Sequence, residues 1–245
     1  MSGHSKWATI KRKKGANDAQ RGKIFTKLGR ELAVAVKTGG SPDPTVNSRL
    51  KDVIAKCKSN NMPNDTIMRS IKKASGEGAS TNYEENVYEG YGPNGVAVIV
   101  ETLTDNKNRT ASDMRHYFDK FGGNLGTSGC VMFMFDKKGI ILIENDGSLD
   151  EEQVMMDALE AGADDVEANE DGFEITTDPN NVSTVSEALE GMGYAIAQAE
   201  AQFVPQTETA LSDEHDILMM NKLIEHLEDN DDVQNVWHNW ENPTE

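Results

Sequence analysis

The chain has 245 residues, of which 37% are hydrophobic, and a formal net charge of −18. That length predicts two or three domains able to bury cores of their own, and the two cysteines, Cys57 and Cys130, are too far apart for a disulfide scaffold or a zinc finger. No run of about 18 apolar residues offers a membrane span, and the basic stretch 1–15 lacks the apolar core of a secretory signal, so a reducing, cytoplasmic setting is expected.

Taken in order, residues 1–16 are small, polar and basic, a composition expected to order only against a partner. The 3.6-residue period then takes over. Asn17 or Asp18 starts a helix over 17–38, ended by Gly39-Gly40. Ile24, Phe25, Leu28, Leu32 and Val36 share its apolar face, with Lys23, Lys27, Arg30 and Lys37 nearly opposite and Val34 interrupting the basic side. A second helix is expected over 46–60, with Leu50, Val53, Ile54 and Cys57 inward. Met62-Pro63 breaks it, and a third helix runs from Asn64 to near Gly76 with Ile67, Met68 and Ile71 inward. Three short amphipathic helices make a small bundle.

The remainder alternates strand and helix. Strands are expected at 96–102 and 130–135 around a helix over 108–121 capped by Asn108. Residues 137–203 then read strand, helix, strand, strand, helix, strand, the ferredoxin-like order. A short strand near 208–210, a helix from Ser212 to Leu227 and a strand over Val233–His238 follow. The fold class is therefore α+β: an N-terminal helical bundle (1–80), a split ferredoxin-like domain (81–136 and 204–245), and a second ferredoxin-like domain inserted into it (137–203).

Charge divides the chain as sharply as periodicity does. Residues 1–80 hold 17 Lys and Arg against 6 Asp and Glu, a net +11, whereas 81–245 hold 7 against 36, a net −29. A basic head on an acidic body suggests a polyanion partner for the head alone. The run Lys11-Arg12-Lys13-Lys14 follows Lys6, Trp7 and Ile10, a pattern suited to phosphate contact with base stacking. Lys23, Lys27 and Arg30 extend it along the first helix, and Arg49, Lys51, Lys56 and Lys58 along the second. The competing reading is that the two halves attract each other, and that Trp7 packs on the bundle.

Other motifs point to structure. Gly90, Gly92 and Gly95 match GxGxxG in letters, but they precede a strand and enclose Pro93, so they read as a turn and not as a dinucleotide loop. The glycines of GGNLGTSG (122–129) could hold an anion on backbone amides, although a helix end followed by a loop calls for glycine anyway. The five histidines are scattered without metal spacing. Glu228, Asp229, Asp231 and Asp232 read as a solvated acidic turn, and Arg109 as an internally paired cation. No catalytic constellation is visible; no metal, cofactor or small-molecule substrate is expected.

Three long segments, GHSKWATIKRKKGANDAQRGKIFTKLGREL, YEGYGPNGVAVIVETLTDNKNRT and FGGNLGTSG, closely resemble the YebC/PmpR family, which includes a mitochondrial translational activator of cytochrome oxidase subunit I. The resemblance covers essentially the whole chain. It implies a helical domain followed by two α+β domains, and a cytoplasmic, non-enzymatic protein. Family members are described as probable transcriptional regulators of promoter DNA, and others as ribosome-associated factors that contact RNA and assist synthesis of proline-rich stretches. By position it implies contact through Lys6, Trp7, Lys11, Arg12, Lys13, Lys14, Arg21, Lys23 and Lys27, to which the charge pattern adds Arg30. The expected partner is thus nucleic acid, promoter DNA or ribosomal RNA, with no membrane.

Overall fold

The structure, a computed structural model, describes Trp7 and residues 18–76, 82–145 and 147–241. Three helices open it: α1 (Asp18–Gly39), α2 (Ser48–Ser59) and α3 (Asn64–Ser75). Their core is the one the periodicity predicts, with Leu28, Leu32 and Val36 meeting Leu50, Cys57, Ile67 and Ile71. Met68 is the exception: it was expected inward and faces solvent. Asn47 fixes the α1–α2 loop. Its buried amide donates to the carbonyls of Ala35 and Ser41, and its oxygen caps α2 at the Leu50 amide.

The chain forms two compact units. One comprises Ala16–Phe135 and Pro205–Glu245; the other holds Asp136–Val204 together with Trp7. In the first, the bundle is followed by β1 (Glu84–Tyr91), β2 (Ala97–Thr104), α4 (Lys107–Lys120) and the two-residue β3 (Asn124–Leu125). After the insertion come α7 (Glu214–Asp229) and β8 (Val233–His238). The strand order is β3-β1-β2-β8, all antiparallel. Val96, Val98 and Val100 face Met114 and Phe118 of α4 and Met220, Leu223 and Leu227 of α7.

This unit corrects four expectations. Strand β1 was not foreseen, because its EENVYEGY lacks the alternation of a half-buried strand; Glu89 is one of its buried residues. The segment 130–135 is no strand but a short 3-10 turn, Met132–Met134, leading into β4. The strand near 208–210 reduces to a single bridge between Thr209 and Trp240. The cap of α4 also moves, from Asn108 to Asn106, whose side chain accepts from the Arg109 amide at 3.1 Å.

The second unit runs β4 (Phe135–Glu144), α5 (Glu151–Ala161), β5 (Asp165–Asn169), β6 (Gly172–Thr177), α6 (Val182–Gly191) and β7 (Ile196–Pro205). Its sheet order, β5-β6-β4-β7, is the ferredoxin-like one, and its elements lie within a few residues of those expected. Ile141, Ile143, Phe173 and Ile175 pack on Val154, Ala158, Val185 and Leu189 of the two helices. This unit is strongly acidic: residues 136–204 hold 18 Asp and Glu against 2 Lys. Among the described residues, no helix is long and apolar enough to cross a membrane.

Candidate nucleic-acid interface

Lys23, Lys27, Arg30, Val34 and Lys37 follow one another at intervals of three or four residues, which aligns them along one side of α1. This line is not open. Lys23 Nζ pairs with Asp229 at 2.9 Å, and Lys27 Nζ donates to the Glu228 carbonyl at 2.6 Å. Arg30 Nη1 reaches Asp232 Oδ1 at 2.6 Å and the Asp231 carbonyl at 2.8 Å. Lys37 donates to Asn82. Val34, which interrupted the basic pattern, is only 5% exposed. Its burial marks this side of α1 as a second packing side, and the turn 228–232, expected in solvent, is what Lys23, Lys27 and Arg30 on it meet.

Asp232 organises this joint. Only 3% exposed, it also accepts from Arg109 Nη2 at 2.8 Å, Thr110 Oγ1 at 2.8 Å and Thr104 Oγ1 at 3.1 Å. Burial pushes its carboxyl up, but hydrogen bonds from Arg109, Thr110 and Arg30 outweigh burial and leave it below the usual carboxylate range. The preferred reading of Arg109 as an internally paired cation holds: it bridges Asp232 and Asp105.

Trp7 is likewise taken up. The indole is 2% exposed and lies against Ile140 and Leu142 of β4, with Ala197 and Val204 of β7 beside it. A Cβ at Gly172 would fall 2.7 Å from its ring, so glycine there admits the indole. Trp7 does pack, but on the inserted sheet and not on the bundle, and a ring so enclosed has no face left for a base. The glycine-rich loop is closed from within as well. Glu89 accepts from the amides of Gly129 (2.6 Å), Val131 (2.9 Å) and Met132 (2.8 Å), so an internal carboxylate occupies the donors that an external anion would need.

Of the remaining residues expected at a nucleic-acid surface, Arg21 is exposed, whereas Lys6, Lys11, Arg12, Lys13 and Lys14 lie outside the described residues. On α2, Arg49 pairs with Glu85, and Lys56 with Glu31 at 2.9 Å. Lys58 of α2 is exposed, and a group of exposed cations stands on α3. Arg69, Lys72 and Lys73 are exposed, and among the described residues neither lysine has a partner. The sequence reading missed this group, although the spacing 69, 72, 73 opposite Ile67 and Ile71 carries it.

Comparison with known proteins agrees with this architecture. The family description "TACO1/YebC protein N-terminal domain" matches residues 5–77, and "TACO1/YebC second and third domain" matches residues 83–240. A protein of Acetivibrio thermocellus is 66% identical over 240 residues, covering 98% of this chain and 99% of its own. One of Ruminiclostridium cellulolyticum is 64% identical over 245 residues, covering 100% and 98%. Both are named probable transcriptional regulatory protein. The crystal structure of a conserved hypothetical protein from Aquifex aeolicus superposes with a TM-score of 0.82 at 45% identity, over 93% of each chain. The chain belongs to the TACO1/YebC family.

Proposed function

We propose that this chain is a cytoplasmic regulator of gene expression that binds DNA through its basic N-terminal region, and that it acts by binding rather than by catalysis. The observation that carries this reading is the partition of charge. Residues 1–80 keep a net +11 although the whole chain is at −18, and part of that excess, Lys72 and Lys73 of α3, stands exposed without a partner among the described residues. The names of the relatives point the same way. Phosphate contacts of this kind position a protein on a duplex, and the acidic remainder, repelled within a Debye length of about 8–10 Å, keeps the basic end facing it.

The test is a salt titration of binding to duplex DNA. Replacing Lys11, Arg12, Lys13 and Lys14 together with Glu is expected to weaken binding on every sequence and to flatten the dependence of log K on log salt by up to about four charges' worth. Unchanged binding would remove the basic run from the account. A lysate gradient separates the ribosomal reading. Nuclease-sensitive co-sedimentation with ribosomal particles at moderate salt would make ribosomal RNA the primary target.

A further inference from the structure

We infer that α2 and α3 form a helix-turn-helix in which α3 is the helix offered to the major groove of duplex DNA. This rests on the nucleic-acid reading above and assigns it an element.

Two helices of 12 residues each are joined by only the four residues Asn60–Pro63. The turn is set by Asn61, at φ 56°, and anchored by Met62, whose amide donates to the Cys57 carbonyl at 3.0 Å and whose side chain is buried in the bundle core. A short connection of this kind is what the motif requires. Ile67 and Ile71 hold α3 on the bundle. Its opposite side presents Asp65, Met68, Arg69, Lys72 and Lys73, all exposed, with Met68 at 63%. Asp65 is the one acid among them.

Three features favour DNA for this face over the other basic surfaces. Lys23, Lys27 and Arg30 of α1 are held by the turn 228–232, whereas Lys72 and Lys73 of α3 have no partner among the described residues. Apolar Met68 stands among the cations, and an apolar side chain in the groove contacts the thymine methyl. The order along the helix also fits. Residues near the N-terminus of a recognition helix meet base edges, which places Asp65, Met68 and Arg69 at the bases and Lys72 and Lys73 toward phosphate. Arg69 lies along its own helix, donating to the Asp65 carbonyl and Thr66 Oγ1 at 3.2 Å each. Its planar fork suits the two acceptors of a guanine edge. An A-form RNA duplex has too narrow a major groove for a helix.

The experiment measures anisotropy of a labelled DNA duplex of about 20 bp, two helical turns, against the full chain across a salt series. An RNA duplex of the same sequence serves as competitor. R69E/K72E/K73E is expected to weaken binding and to flatten the salt slope by about 3 at most, near 0.9 per charge. K72R/K73R should retain the slope. Binding by the triple variant equal to that of the unaltered chain would overturn the assignment of α3 while leaving the nucleic-acid reading intact. So would an RNA duplex that competes as well as DNA. Absence of binding by the unaltered chain to DNA or RNA would overturn both.

Discussion

Helices α1 and α3 carry the same kind of line, cations spaced three or four residues apart opposite an apolar face, yet they do opposite things. The line on α1 closes onto carboxylates and carbonyls some 200 residues later in the chain, as in Lys27 to Glu228, a separation of 201. On α3, Arg69 bonds only within its own helix, and Lys72 and Lys73 meet no partner among the described residues. Helical periodicity reports where a charge points on its own element, but not whether a distant segment is waiting there. Val34 was the local sign of the difference, since a buried valine among cations marks a packing face, whereas exposed Met68 among cations marks an open one.

The variant expected to cost most tests whether Trp7 belongs with the closed groups. Trp7→Ala removes a buried ring and should destabilise the inserted unit by about 3–5 kcal/mol. Amide hydrogen exchange in β4 and β6 would show it, and full protection in the variant would return Trp7 to the solvent. Next comes the joint under α1. Asp232→Ala strands Arg30 and Arg109 and should lower stability by about 3 kcal/mol, the low end for a broken buried pair because Arg109 is half-exposed. A midpoint of chemical denaturation equal to that of the unaltered protein would mean that the contact is incidental.

Glu89→Ala extends the comparison to the glycine-rich loop. It leaves three amides without their acceptor, a loss of about 2 kcal/mol. If the donors are an anion site merely occupied from within, added phosphate should raise the variant's denaturation midpoint and not that of the unaltered chain. A pH series separates two further contributions. Burial pulls the His238 imidazole down from 6.5 to about 4, with Nδ1 accepting the Trp240 amide. Between those values the unfolded chain binds a proton that the folded chain refuses, so stability is full above 6.5 and falls as the pH drops toward 4. The Asp232 joint stays charged across this window, because its carboxyl lies below the usual carboxylate range. A flat profile would contradict the lowered His238 imidazole. The smallest effect is expected at Lys23. Its pair with Asp229 is exposed on both sides, so Lys23→Ala should change stability by less than about 0.5 kcal/mol.

Much of this was readable from residues alone, and the limits have a physical pattern. The elements of the inserted unit are legible in its apolar runs, and the structure adds Gly147, Gly162 and Gly193 at positive φ between them. Strand β1 was missed because its side chains do not alternate. Asn94-Gly95, both at positive φ, is nevertheless a strong hairpin signal and demanded a strand before it as well as after it. The α+β class followed from order; the joint at Asp232 could not, because nothing local distinguishes a buried aspartate from Asp229 or Asp231 beside it. Composition marks residues 1–80 as basic, but it does not tell that Lys23, Lys27 and Arg30 of α1 are paired within the fold while Lys72 and Lys73 of α3 are exposed.

The insertion has a consequence in time. Strands β4 and β7 are neighbours, and Gln206 N donates to the Met134 carbonyl at 2.9 Å, so the guest leaves its host and rejoins it at one point. The guest can finish folding as soon as β7 is made. The host cannot, because β2 pairs with β8, Val98 opposite His238. At ribosomal rates of about 5–20 residues per second, the hairpin of β1 and β2 waits on the order of ten seconds for its third long strand. Throughout that interval an apolar edge, Val96 to Val100, stands without its partner. The unpaired edge of β2 is thus a template for wrong pairing until β8 has been made.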